Sequence, residues 1–320
     1  MLGASDVERV LDYQAAIEAV EGSFRELGAK RVVMPPRSVI EVAAEDGWTS
    51  AMSAYLPAKN QLGVKVVSAF GNNPKKHNLP TITGEVILLD ARTGIPLAIM
   101  EAAPITAVRT AATSAVATKY LAKQNATSLG VFGSGVQAGS HLLALKTVRD
   151  LDRAFVFDVA QGKCVEFCAR MSEKMGFPVT PLDPRGVSQA DVVVTATTSP
   201  IPVFDGRWLR KGTHINGIGS HRSNERELDD VTVCGSKLVV DSRQAAMQEA
   251  GDILIPIAKG RLTPDAIYAE LGEIVLLEKP GRTGDEEITV FKSVGLATED
   301  LAVATVAYEK ALEAGVGRES

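Results

Sequence analysis

What this chain lacks narrows its chemistry first. Three cysteines in 320 residues cannot all pair. Cys164 and Cys168, four apart on an expected helix, read as free thiols in a reducing cytoplasm. The four histidines show no ligand-like spacing, so no metal is expected. Basic residues are scattered and the net charge is −5, which argues against a nucleic-acid or other polyanionic partner. No apolar run approaches the roughly 20 residues of a membrane span. The first residues, MLGASDVERVLDY, lack the basic stretch and apolar core of a signal peptide. The remaining composition, 45% hydrophobic and 23% charged, is that of an ordinary globular protein long enough for two domains.

What is present centres on residues 129–158. An apolar run, Leu129–Phe132, meets Gly133-Ser-Gly135-Val136-Gln137-Ala138, followed by an apolar-periodic segment and a second apolar run, Ala154–Phe157, ending on Asp158. Strand, glycine turn, helix, strand and acid, in that order, form the context a dinucleotide fingerprint requires. Gly133 makes the tight turn, Gly135 leaves room for a pyrophosphate, and Ala138 lets helix and strand pack closely. The helix N-terminus offers N–H groups to phosphate. Asp158, twenty residues past Ala138, is placed to accept ribose hydroxyls and repels a 2′-phosphate, and no Arg follows it directly. NAD(H) is therefore expected over NADP(H).

Upstream, Ser5-Asp-Val-Glu8 reads as a capping box, and an amphipathic helix with Ile17, Val20, Phe24 and Leu27 on one face stops at Gly28. Strands are expected at Ser38–Val42, Trp48–Leu56 and Leu62–Phe70. A hairpin of Glu85–Leu89 and Pro96–Glu101 is expected around Asp90–Gly94. Arg37 follows a rigid Pro-Pro turn. Lys65 interrupts an apolar strand, facing opposite Val64 and Val66, and is either a solvent-face lysine or part of a pocket lining. Thr106 is the expected cap of a small-residue helix with Arg109 and Thr110 in its first turn. A cation there implies either an anion in front of it or an arginine extended into solvent. Downstream come a helix at Lys163–Met175, the stretches Asp191–Ser199 and Thr213–Ser220, and a last apolar strand, Ile288–Phe291, running into Lys292–Gly295. Each strand ends in a small-polar or glycine loop, and a last helix is expected from Thr298 to about Ala314.

Met34-Pro-Pro-Arg37, Gly63-Val-Lys65, Leu79-Pro-Thr81, Arg109-Thr110, Gly133–Ala138, Asn216-Gly-Ile-Gly219, Arg226-Glu-Leu-Asp229 and Ser293-Val-Gly-Leu296 together resemble the ornithine cyclodeaminase/mu-crystallin family across nearly the whole chain. The resemblance implies an α/β protein, a Rossmann domain (116–296) inserted into an α+β substrate and dimerisation domain (1–115 plus 297–320), and a homodimer. It also implies that Arg37, Lys65 and Arg109 hold a substrate carboxylate. Thr81, Arg109, Thr110, Gly133, Gly135, Val136, Gln137, Ala138, Asp158, Thr197, Ser220 and Ser293 would line the dinucleotide. Where a cyclodeaminase carries a catalytic Asp, this chain has His221. Where it carries an acid for the distal amine, Ser50 stands. Both departures favour a reductase.

The expected function is NAD(H)-dependent oxidation or reduction at the C–N bond of a small α-amino or α-imino acid, with Lys65 and His221 as catalytic candidates. A neutral-pH titrating imidazole suits a proton donor to an imine nitrogen, and the same residue also reads as a plain loop imidazole. Ornithine cyclodeamination, using NAD catalytically, is the alternative enzyme. A non-catalytic carrier of a small ligand is the alternative of another class.

Overall fold

The computed structural model describes residues 1–318. The chain forms two compact units, one of Met1–Arg109 with the chain from Leu296 onward, the other Thr110–Gly295. The first division thus falls at Arg109/Thr110 rather than after residue 115. It lies inside a helix, where no loop composition marks it.

The first unit opens with helices Ala4–Val10 and Tyr13–Gly28. The capping box sits two residues earlier than Ser5–Glu8. Gly3 is the N-cap, its N–H donating to the Asp6 carboxylate at 3.0 Å, and Ser5 already lies within the helix. Strands β1 (Ser38–Val42), β2 (Gly47–Leu56), β3 (Gln61–Phe70), β4 (Ile82–Asp90) and β5 (Pro96–Glu101) follow as an antiparallel sheet in chain order. Asp90 closes the β4–β5 hairpin by accepting the N–H groups of Arg92 and Thr93, each at 2.8 Å.

Period-two alternation puts Ser50, Met52, Ala54 and Leu56 of β2 on one buried face with Lys65 and Val67 of β3 and Val86 and Leu88 of β4. The C-terminal helix, Ala297–Ala314, packs on β2, β3 and β4 and on the helix Tyr13–Gly28. Each large apolar side chain buried there contributes about 1.5–3 kcal/mol. Gly63 admits this helix. A Cβ at that position would lie 2.8 Å from Leu301 and 2.3 Å from the Ile87 carbonyl oxygen.

The second unit is an eight-stranded, wholly parallel sheet. Its strands are β6 (Ser128–Phe132), β7 (Arg153–Phe157), β8 (Val179–Pro181), β9 (Val192–Thr195), β10 (His214–Gly217), β11 (Lys237–Val240), β12 (Ile267–Glu270) and β13 (Thr289–Lys292). Their spatial order is β12-β11-β13-β10-β9-β6-β7-β8. The winding reverses beside β6, which has β7 on one side and β9 on the other. A doubly wound sheet binds its ligand at such a switch point, at the carboxyl ends of the strands. β9, β10 and β13 are buried along their whole length, as strands covered on both faces must be.

The helix containing Arg109 runs from Ala102 to Leu121. Thr106 is therefore not its cap, and Arg109 and Thr110 lie about two turns in. Pro104 permits the earlier start, because a first-turn proline removes only an N–H that the helix could not have paired. At the far end, the Arg149 guanidinium donates to the carbonyls of Thr118 (2.8 Å), Ala122 (3.1 Å) and Lys123 (2.9 Å), and Arg282 donates to that of Leu121 at 2.7 Å. Two cations thus satisfy the orphan carbonyls at the negative end of the dipole.

Two fully buried histidines tie the second unit together. His141, in the helix Val136–Lys146, lies 2.7 Å from the Gln137 carbonyl oxygen through Nδ1 and 2.9 Å from Ser114 Oγ through Nε2. His214 of β10 is 2.9 Å from Thr289 Oγ1. Burial pushes His141 down to about 4 and His214 to about 3. The unfolded chain takes up these protons near pH 6.5 and the folded one does not. Stability is therefore undiminished above about pH 6.5 and falls as pH drops toward 4, each unit of separation being worth about 1.4 kcal/mol per histidine. Urea midpoints are expected to fall between pH 7.5 and 5, and His141→Asn to flatten that dependence. A midpoint independent of pH in this window would show both residues protonated in the fold.

Candidate active site

Two groups of side chains carry chemistry, one in each unit. In the second unit the turn after β6 begins at Gly133, whose φ of +105° places it where L side chains rarely go. A Cβ there would stand 2.6 Å from the Ala196 carbonyl oxygen, in the loop after β9. Gly135 is the N-cap of the helix Val136–Lys146, with no side chain capping it and nothing within 4 Å of a Cβ added to it. Val136 is 74% exposed, Gln137 is half-buried and Ala138 is fully buried against the sheet. An uncapped helix N-terminus behind an open glycine is the arrangement that receives a pyrophosphate. These residues fit a dinucleotide.

Asp158 directly follows β7. Its Oδ2 accepts the Ser134 N–H (2.9 Å) and hydroxyl (2.7 Å), and its Oδ1 accepts the Ala160 N–H at 2.9 Å. The carboxylate therefore also shapes the glycine turn, a role its spacing did not reveal. Ser293, in the loop after β13, is buried and donates to Asp241 Oδ2 at 3.0 Å. The same oxygen accepts the N–H groups of Val294 (2.7 Å) and Gly295 (2.9 Å). Ser220 is buried, its hydroxyl donating to the Glu225 carbonyl oxygen at 2.7 Å. His221 beside it is exposed, with Nδ1 3.4 Å from the Gly219 carbonyl oxygen. Thr197, half-buried after β9, donates its hydroxyl to Glu227 at 2.6 Å.

In the first unit the three expected cations behave differently. Lys65 is 2% exposed, so it lies on the buried face of the sheet and not in solvent. Its Nζ is 2.8 Å from Asp300 Oδ1. Arg109 reaches the same oxygen through Nε at 3.0 Å and Glu299 Oε2 through Nη1 at 2.6 Å. Of the two alternatives posed for Arg109, the one extended into solvent does not hold, since the residue is 7% exposed. Its guanidinium is met by acids of the C-terminal helix.

Burial pushes the Lys65 ammonium down to about 8. Asp300 pulls it up, and the like charges of Arg109 and Arg37 push it further down. Arg37, half-buried, thus stands close enough to act on Lys65. Ser50 shares the buried face with Lys65, 1% exposed, its Oγ without a hydrogen-bond partner. Thr81 is exposed and lends its carbonyl oxygen to the Phe70 N–H at 2.8 Å, whereas Thr110 is buried in its helix.

Sequence reasoning missed the acids. Glu299 and Asp300 stand in the first turn of a helix, where acids are ordinary and signal nothing beyond the dipole. Asp241 and Glu227 carry no local pattern of their own, though Glu227 lies within the Arg226–Asp229 motif.

The pattern of the ornithine cyclodeaminase/mu-crystallin family matches residues 1–315. The Δ1-pyrroline-2-carboxylate reductase of Bacillus cereus is 39% identical over 320 residues, covering 99% of this chain and 98% of the relative. The structure of the Thermococcus litoralis Δ1-pyrroline-2-carboxylate reductase in complex with NADH and L-proline superposes with a TM-score of 0.96 at 44% identity, covering 100% of this chain and 99% of that one. An archaeal alanine dehydrogenase dimer with bound NAD gives a TM-score of 0.94 at 37% identity, covering 99% of this chain and 97% of that one. The glycine turn, the doubly wound sheet and these whole-length likenesses lead to one conclusion: the chain belongs to the ornithine cyclodeaminase/mu-crystallin family.

Proposed function

We propose that this protein is an NAD(H)-dependent reductase of cyclic α-imino acids, with a five-membered ring imine carboxylate as its first substrate class. The observation that carries the reading is the convergence of Arg37, Lys65 and Arg109 on one buried spot in a chain whose other unit bears a dinucleotide turn. Like charges held this close repel one another, and a bound carboxylate relieves that repulsion while fixing the substrate's orientation. NAD(H), when bound, supplies or accepts the hydride. Relatives named for pyrroline-2-carboxylate reduction support the ring size.

Reducing C=N adds a hydride to carbon and a proton to nitrogen. Lys65, with an ammonium pushed down to about 8, releases a proton at near-neutral pH, which an ordinary lysine does not. His221, exposed in the loop after β10, is the second candidate donor. Ser50 presents a neutral hydroxyl on the Lys65 face of the sheet, which suits an apolar ring better than the distal ammonium of a diamine.

Further features support a homodimer. The sheet face opposite Lys65 carries Ile40, Val42 and Val66 exposed, a pattern typical of an interaction surface, and an NAD-bound relative is a dimer. Among the described residues no helix is long and apolar enough to cross a membrane. Cys164 and Cys168 are buried free thiols, in keeping with a reducing cytoplasm.

A substrate panel followed by NADH absorbance, with ammonia detection, tests the reading. Pyrroline-2-carboxylate should consume NADH stoichiometrically, with piperideine-2-carboxylate slower. Ammonia release from ornithine with no net change in NADH would instead make the protein a cyclodeaminase. Arg37→Met is expected to lower kcat/KM by about 2–4 kcal/mol with NADH affinity hardly changed. Loss of NADH binding in that variant would move Arg37 from the substrate to the cofactor. For wild type, kcat/KM for reduction should fall as pH rises through about 8, where Lys65 loses its proton. Lys65→Met should remove that limb and His221→Ala should keep it. The opposite pattern would assign the proton to His221.

A further inference from the structure

The loops after β9 and β10 are tied to one buried carboxylate that the reaction above does not use. Glu227 is 0% exposed and receives four donors. Its Oε2 accepts Thr195 Oγ1 at 2.8 Å and the Gly219 N–H at 2.7 Å. Its Oε1 accepts the Thr197 hydroxyl at 2.6 Å and N–H at 2.7 Å. Two backbone N–H groups and two hydroxyls directed at its oxygens suit a carboxylate, which only accepts. Burial, joined by the like charge of Asp252, pushes the Glu227 carboxyl above the usual range, and the Thr197 donors and the Lys292 charge offset only part of that.

The residue is itself anchored. Its own N–H and that of Leu228 donate to Asp252 Oδ1, each at 2.8 Å. The other Asp252 oxygen lies 3.0 Å from Lys292 Nζ, which donates to the Ser220 carbonyl oxygen at 2.6 Å. One buried network, closed at both ends, therefore sets the backbone at residues 195–197, 219–220 and 227–228.

A buried network of this kind satisfies loop N–H groups wherever it lies, and its place in the fold decides what else it does. This one gathers the carboxyl ends of β9 and β10, beside the switch point, where a doubly wound sheet receives its ligand. Asp158 directly follows β7, on the adenosine side of the switch. β9 and β10 lie on the other side, which falls to the nicotinamide half. We propose that Glu227 is a positioning residue for the nicotinamide half of NAD(H). It holds the Thr195–Thr197 and Gly219–Ser220 segments in the arrangement that receives that half. The inference rests on the NAD(H) reading given above.

Calorimetric titration of NADH and of ADP-ribose, which lacks the nicotinamide, into wild type and Glu227→Gln tests it. Wild type should bind both. Failure to bind either would overturn the NAD(H) reading itself, and the inference with it. In Glu227→Gln the amide turns two hydrogens toward backbone and hydroxyl donors, so the NADH Kd should rise about ten- to a hundredfold. ADP-ribose affinity should change by less than about twofold, and the fluorescence of bound NADH should shift toward that of the free cofactor. Unchanged NADH affinity, or equal losses for NADH and ADP-ribose, would overturn the positioning role. Thr195→Val, which keeps the side-chain volume and removes one donor, should give a smaller loss with the same selectivity. It provides the decision if Glu227→Gln does not fold.

Discussion

Burying an ammonium and a guanidinium side by side is costly unless carboxylates are buried with them, and the first unit is built around meeting that cost. Lys65 and Arg109 share Asp300 Oδ1, and Arg109 also holds Glu299. The desolvation of each ion amounts to several kcal/mol, and removing one partner of such a pair costs about 3–5 kcal/mol. The acids reach the sheet on the C-terminal helix, which lies over it. Gly63 on β3, with no side chain, gives Leu301 room beside them. Packing of the helix and satisfaction of the cations are one event. The same burial, with the like charges of Arg109 and Arg37 behind it, leaves the Lys65 ammonium near 8.

The second unit solves a different problem. Parallel strands end in loops whose N–H groups point toward the carboxyl edge, and those not taken by a ligand need acceptors. Buried or half-buried carboxylates take them up one loop at a time. Asp158 holds Ser134 in the glycine turn, Asp241 holds Val294 and Gly295, and Glu227 holds Thr197 and Gly219. The helix Val136–Lys146 starts at Gly135 without a side-chain cap. Its N–H groups stand where the turn presents its phosphate-binding face.

Much of this was legible from local pattern. β1 and β5 have the bounds that alternation and turn residues gave, and the glycine turn between β6 and its helix follows from φ requirements that only glycine meets cheaply. Some short strands escaped, whereas β9, β10 and β13, four residues each, were legible because each runs into a small-polar or glycine loop. β8, β11 and β12 span three or four residues each, too few for a period to declare itself. The start of the helix at Ala102 escaped because Pro104 reads as a barrier until its first-turn position is known. Arg109 was consequently assigned to a helix terminus that lies elsewhere.

By itself the sequence determined the dinucleotide turn, the preference for NAD(H) carried by Asp158, the doubly wound class of the second unit and the family. All of these are written in residues close together along the chain. Only the tertiary structure decided which face Lys65 takes and what answers Arg109. Lys65 and Asp300 are 235 residues apart in sequence, Arg109 and Glu299 190 apart. Periodicity and turn chemistry act over a few residues, whereas a charge partner is chosen by whatever the fold brings within about 4 Å in a medium of low dielectric constant, and that choice leaves no local trace.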